Sequence, residues 1–199
     1  MIVNPRGTSG SGKTELVRRV VADYGWGSDG RVEPVRREGR RHPIAYRLRH
    51  PSGGRPLALL GHYEATAGGC DTIRLTDGGL DEAFRLAGAY AASGHDVLLE
   101  GLLLSGEHRR SAALAKAHEL HVLRLDTPLD RCVRNAIARQ RAGRRGRASV
   151  ARTATMRQAD VEEACRRLRP HASVEVLDFD GALRRARELL GLERLRVAA

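Results

Sequence analysis

The chain has 199 residues, enough for one domain with a substantial core, and carries a formal net charge of +11. It has no apolar run of the roughly 18 residues that a membrane span needs, and an apolar strand already begins at Met1, so neither a membrane span nor a cleaved leader is expected. Cys70, Cys132 and Cys165 lie far apart without C-x-x-C spacing, which fits a reducing cytoplasm and argues against a disulfide framework or a zinc site.

Among the 35 basic residues only Lys13 and Lys116 are lysine. A GC-rich genome produces such a bias, but it does not produce the surplus of bases over acids. That surplus describes a surface attractive to polyanions, either nucleic acid or nucleotide phosphates.

Met1–Asn4 reads as a short strand and Glu15–Tyr24 as a helix, with Leu16, Val17, Val20, Val21 and Tyr24 on its apolar stripe and Gly25 after it. Between them Gly7-Thr8-Ser9-Gly10-Ser11-Gly12-Lys13-Thr14 matches G-x-x-x-x-G-K-[ST] at every fixed position. Glycines there let backbone N–H groups turn inward toward phosphate oxygens, and the helix N-terminus adds positive charge. Lys13 is then expected on the β- and γ-phosphates and the Thr14 hydroxyl on Mg²⁺.

The stretch from Gly25 to about Pro56 is broken by Gly and Pro, carries Arg36, Arg37, Arg40 and Arg41, and holds short strands near Val32–Val35 and Ile44–Leu48. Pro56–Leu60 is a continuous apolar run of the kind found where both faces of a strand are covered. A helix over about Leu80–Ala92 and a buried strand, His95–Gly101, that ends in Glu100 follow. Next come a helix near Arg109–Ala117, the strand Leu120–Leu125, and a helix that starts after Thr127-Pro128 with Leu129, Cys132, Val133, Ala136 and Ile137 on one face. A helix near Ala159–Leu168, the strand Ser173–Leu177 and a helix Ala182–Leu190 complete the pattern.

Alternating strands and helices imply a three-layer α/β fold: a parallel sheet of about five strands with helices on both faces and ligands at the strand C-termini. The whole of 1–199 is expected to be a single domain, with 25–65 a substrate-facing insert and 138–157 an Arg-rich lid.

Phosphoryl transfer needs charge neutralisation, alignment and a base for the acceptor hydroxyl. Glu100 is placed to assist the metal, and Asp71, in a Gly-rich loop, to take the hydroxyl proton; the two roles are interchangeable at this level. His62, Tyr63 and Glu64 offer a flat ring and two edge readers for an acceptor. His118 and His121 lack a third metal ligand. Asp178-Phe179-Asp180-Gly181 matches D-x-x-G without a guanine-reading N-K-x-D, and its loop is a candidate adenine seat. Gly143 and Gly146 loosen an arginine run from Arg139 to Arg147, and Arg139 and Arg141 are expected to close over the transferring phosphoryl.

With R-G-T-S-G-S-G-K-T at 6–14, G-H-Y-E at 61–64, G-G-C-D-T-I at 68–73 and L-L-E-G-L-L at 98–103, the chain resembles P-loop kinases of the nucleoside/nucleotide kinase-like group. It is similar in particular to bacteriophage kinases associated with thymine hypermodification, which act on 5-hydroxymethyluracil in DNA. Unlike nucleoside monophosphate kinases, it has no recognisable helical insert over 25–60.

The resemblance implies ATP and Mg²⁺ as cofactors, a host cytoplasmic location if viral, and no membrane partner. The acceptor it implies is a hydroxymethyl group on a single-stranded or flipped base in DNA. A free nucleoside, nucleotide or other small metabolite is the alternative acceptor, and a nucleotide-gated regulatory module the third reading. The oligomeric state is left open.

Overall fold

The computed structural model describes residues 1–27, 30–64, 68–140 and 144–193. In chain order its elements are β1 (Ile2–Arg6), α1 (Lys13–Asp23), β2 (Val32–Val35), β3 (Ala45–Leu48), β4 (Leu57–Leu60), α2 (Gly79–Ala92), β5 (Asp96–Leu98), α3 (Leu102–Ser105) and α4 (Arg109–Ala117). They continue with β6 (Leu120–Leu125), α5 (Leu129–Gln140), α6 (Arg144–Leu168), β7 (Ser173–Leu177) and α7 (Phe179–Leu189). Short 3₁₀ turns span Cys70–Thr72 and Leu75–Asp77.

Seven strands form one sheet in the order β2-β3-β4-β5-β1-β6-β7. From β4 to β7 every pairing is parallel, which is the five-stranded parallel sheet read from the sequence. The strands near 32–35 and 44–48 do not stand apart from it: they add to the β4 edge as an antiparallel pair.

Alternation along each strand divides the core in two. Val3, Leu57, Leu59, Leu98, Leu123 and Leu125 pack toward α1 and α7. Ile2, Ala58, Leu60, Val97, Leu99 and Val122 pack toward α2, α3 and the far half of α6. Helices therefore cover both faces, and the loops after β1, β4 and β5 converge at one end of the sheet.

The arginine segment differs from its expected form. Arg144–Arg147 opens a helix of 25 residues in place of a flexible lid loop, so the helix expected near Ala159 starts a full four turns earlier. Arginine and alanine are good helix formers, and Val161, Cys165 and Leu168 fix the far end in the core. Region 138–157 is thus the junction of α5 and α6. Residues 141–143, Arg141 among them, lie outside the described residues.

Asp178 is the N-cap of α7, its carboxylate accepting from the Gly181 N–H at 2.7 Å, so the D-x-x-G segment serves helix initiation. The ring of Phe179 just after it carries the Arg19 guanidinium 4.9 Å from its centroid. None of the described helices is long and apolar enough to cross a membrane.

Arg6 is fully buried at the end of β1. It donates to Asn4 Oδ1 (2.7 Å), the Ser105 and Glu107 carbonyls (3.3 and 2.6 Å) and Ser111 Oγ (2.6 Å), joining β1 to the α3–α4 segment. Burial pulls its pKa down to about 10. Replacing it strands several buried acceptors at once. Arg6→Met is expected to cost about 3 kcal/mol in urea unfolding; a loss below about 1 kcal/mol would show that these bonds are not what joins the segments.

Candidate active site

The loop after β1 is shaped by three glycines. A side chain on Gly7 would meet Ser11 Oγ at 2.4 Å, and one on Gly10 (φ +83°) would meet the Cys132 carbonyl at 2.2 Å. Gly12 sits at φ +101° as the residue before α1. The loop is also tied from outside. Thr127 donates its hydroxyl to the Ser11 carbonyl at 2.9 Å, the Asn135 amide donates to the Gly10 carbonyl at 2.9 Å, and the Thr8 hydroxyl donates to the Ala154 carbonyl at 3.1 Å. The Ser11 hydroxyl is buried and has no hydrogen-bond partner among the described residues.

Lys13 is buried and donates to the carbonyls of Gly7 (2.7 Å) and Thr8 (3.1 Å). A phosphate oxygen is a stronger acceptor than either carbonyl, so an entering phosphate can draw the ammonium away from both. Burial pulls the Lys13 pKa below its ordinary value, and the charge of Glu100 opposes that shift.

Because β5 lies directly beside β1, the residues that follow each strand meet. Thr14 donates to Glu100 Oε1 at 2.9 Å. Glu100 is only 2% exposed. Burial pushes its carboxyl up, while Lys13 and the Thr14 hydroxyl hold it down.

The loop of residues 68–72 is docked on the same strand end. The Cys70 N–H donates to the Glu100 carbonyl at 2.7 Å, and a side chain on Gly69 (φ +86°) would strike Glu100 itself at 2.5 Å. Asp71 completes the junction, its two oxygens accepting from the backbone N–H groups of Leu102 (2.5 Å) and Leu103 (3.2 Å). The separate G-G-C-D and L-L-E-G segments are therefore one structure in space.

A cavity of about 480 Å³ lies over this junction, lined by Lys13, Thr14, Arg18, Asp71, Glu100 and Arg139 among others. Arg139, near the end of α5, donates to Ser9 Oγ at 2.7 Å, which puts it at the phosphate loop. Lys13, Thr14, Asp71, Glu100 and Arg139 are thus brought together as the sequence pattern expects.

The G-H-Y-E segment divides. Tyr63 is 4% exposed and packs in the core, its phenol without a partner among the described residues, so it offers no face for an acceptor to stack on. Its ring is covered by Gly68, where an added side chain would lie 3.0 Å from the ring and 3.1 Å from the Thr14 methyl. His62 is buried too, but lines a second cavity and stacks on His42 with centroids 4.2 Å apart. Burial, then the neighbouring His42, pulls the His62 pKa down and keeps the ring neutral. Tyr46 links His62 Nδ1 (3.0 Å) to the exposed Glu64 carboxylate (3.1 Å).

This second cavity, of about 500 Å³, includes Arg40, Arg41, His42, His62, Asp71 and Arg74 in its lining. Asp71 and Thr72 line both cavities.

Arg18 and Asn135 were not singled out from sequence, although spacing points to both. Arg18 is one turn beyond Thr14 on α1, and Asn135 one turn before Arg139 on α5. Arg74 and His42 had no comparable signal, because they reach the site only through the fold of 36–44 and 73–78.

Sheet order, helices on both faces and a phosphate loop between β1 and α1 define the P-loop class of α/β nucleotide-binding fold. No family model matches the chain. Over 133 residues it is 46% identical to the 5-hmdU DNA kinase of Pseudomonas phage PaMx11, a match covering 66% of this chain and 65% of that protein, just under two thirds of its length. A gluconokinase from Sinorhizobium meliloti 1021 superposes over 97% of this chain and 91% of its own, with a TM-score of 0.49 and 16% sequence identity. A likeness that low carries no functional weight.

Two results follow from the geometry. Gly10→Ala drives a methyl group into the Cys132 carbonyl from a left-handed backbone position, so nucleoside triphosphate affinity should fall at least tenfold in equilibrium binding; unchanged affinity would contradict the loop's role. Glu100 must lose its proton to serve a cation, and burial raises the pH at which it does so. Mg²⁺-supported triphosphate binding should therefore weaken, as pH falls, above the ordinary glutamate range, and Glu100→Gln should remove that component. The same pH profile in wild type and variant would exclude Glu100.

Proposed function

We propose that the protein is an ATP- and Mg²⁺-dependent kinase that transfers a γ-phosphoryl group to the 5-hydroxymethyl group of a modified pyrimidine in DNA. The observation that carries this reading is the position of Asp71 on the boundary between two cavities, one built on the phosphate loop and the other lined by arginines. The similarity to a phage 5-hmdU DNA kinase supports the same acceptor.

The donor set suits Mg²⁺: a hydroxyl and a carboxylate, both oxygen, adjacent to a phosphate loop and few enough to leave positions for phosphate and water. Mg²⁺ bound there would neutralise phosphate charge and hold the triphosphate in line. Thr14 and Glu100 would be its protein ligands. Gly7, Thr8, Ser9, Gly10, Ser11 and Gly12 supply the cradle, and Lys13 the charge beside the γ-phosphate. Arg139 approaches from α5, where its guanidinium can share the charge that builds on the equatorial oxygens.

Asp71 is held by two backbone N–H groups and keeps further lone pairs for an acceptor. It takes the hydroxyl proton as the acceptor oxygen bonds to the γ-phosphorus and the bond to the β-phosphate oxygen breaks, leaving ADP. His62, neutral and fixed by Tyr46, faces the acceptor side; Glu64 acts through the same tyrosine. Net charge of +11 suits a polyanionic acceptor.

The test is transfer from γ-labelled ATP in the presence of Mg²⁺ to DNA containing 5-hydroxymethyluracil, to matched thymine DNA, and to mixed free nucleosides and nucleotides. Label in the modified DNA alone, falling steeply with salt, is the expected result. Label in the small-molecule pool would transfer the reading to a metabolite kinase, and label nowhere would leave a nucleotide-gated regulatory module. Asp71→Asn should lower kcat on the order of a hundredfold or more with ATP affinity retained; full activity would remove Asp71 as the base.

A further inference from the structure

Just beyond Asp71 the chain presents an apolar side chain to solvent. Leu75 is 92% exposed, the most exposed of the large hydrophobic residues among those described. Its exposure does not come from a loose loop. The turn is closed by N–H groups of Asp77 and Gly79 donating to the Arg74 carbonyl, both at 2.9 Å, and by that of Gly78 donating to the Leu75 carbonyl at 3.0 Å. Asp77 is held in turn by the Arg40 guanidinium. Beneath the side chain is Gly79, where an added Cβ would come within 3.1 Å of Leu75 Cδ2.

The chain neighbours of Leu75, Arg74 and Thr76, line the second cavity. Charge around that cavity is uneven. Arg37 and Arg40 are bound to Glu82 and Asp77, whereas Arg41 and Arg74 form no ion pair among the described residues. An apolar side chain fixed on a rigid turn thus stands beside a cavity with two uncommitted guanidinium groups.

Asp71 is exposed where the two cavities meet, and a pyrimidine seated in the second cavity would bring its hydroxymethyl group to that carboxylate, a position that a base held in a duplex reaches by leaving the stack. Apolar side chains on rigid turns part base steps when inserted between them, and arginines beside them take the flanking phosphates. Resting on the DNA-base reading above, we infer that Leu75 is a wedge. It occupies the duplex stack when the modified pyrimidine swings into the second cavity, while Arg41 and Arg74 grip the adjoining phosphates. Leu75 is a positioning residue and touches no reacting atom.

The experiment compares one 5-hydroxymethyluracil oligonucleotide as a single strand and as a duplex, with γ-labelled ATP and the full chain. 2-Aminopurine beside the target base reports unstacking. Since Leu75 is almost wholly exposed, its replacement leaves the core intact. Leu75→Ala should lower the duplex-to-single-strand rate ratio by about tenfold and abolish the 2-aminopurine brightening on duplex binding; Leu75→Met should restore both. A ratio and a fluorescence change equal to wild type would overturn the wedge while leaving the DNA kinase standing. Absence of label on either form of the DNA with the wild-type protein would instead remove the underlying reading, and the wedge with it.

Discussion

A buried carboxylate governs the arrangement of this protein. Glu100 lies two residues beyond the end of β5 with 2% of its surface exposed, and an ionised group at that depth requires partners on every side. The Thr14 hydroxyl and the Lys13 charge approach it from the phosphate loop, and the Cys70 N–H binds its backbone from the loop of 68–72. That docking needs glycine at 69 and sets Asp71 against the start of α3. One constraint therefore aligns the phosphate loop, the Thr14–Glu100 pair and Asp71. It operates only because parallel pairing of β1 with β5 brings the two strand ends together.

The positive charge has a layered use. Several arginines around the site are already committed: Arg40 to Asp77, Arg37 to Glu82, Arg110 to Asp81 and, inside the core, Arg6 to the α3–α4 segment. The Arg37–Glu82 and Arg40–Asp77 pairs hold 36–44 against 72–82 and so build the wall of the second cavity. Among the described residues Arg41 and Arg74, which line the second cavity, form no ion pair, and Arg139 donates to Ser9 Oγ at the phosphate loop. Net charge alone does not reveal this division, because an arginine bound to a carboxylate counts the same as one facing solvent.

The phosphate loop, the parallel sheet and the strand-end Glu100 were legible in the sequence because each has a local signature: fixed spacing for the loop, continuous apolar runs for the strands, and a carboxylate closing such a run. Tyr63 was misread as a stacking surface. Its ring is buried by Gly68 and the core beyond, and no local pattern reports which way a strand-end aromatic turns. Gly143 and Gly146 both suggest a break in the arginine segment; Gly143 lies outside the described residues, whereas Gly146 is inside α6. A glycine costs a helix only about 1 kcal/mol, and the packing of Val161, Cys165 and Leu168 outweighs it. The second cavity was invisible for a different reason: Arg41, His42, His62 and Arg74 come from three loops that meet only after β2 and β3 have paired at the sheet edge.

The claim at the centre of this account is that phosphoryl transfer runs past Asp71 from the first cavity to the second. A structure of the protein with Mg²⁺, a non-hydrolysable ATP analogue and a short 5-hydroxymethyluracil oligonucleotide tests it most directly. The γ-phosphate is expected beside Lys13, the metal on Thr14 and Glu100, and the pyrimidine in the cavity of His62 and Arg74. The hydroxymethyl oxygen should be within hydrogen-bond reach of Asp71 and roughly 3–3.5 Å from the γ-phosphorus. A pyrimidine bound elsewhere, with Asp71 still facing only the backbone of Leu102 and Leu103, would contradict it.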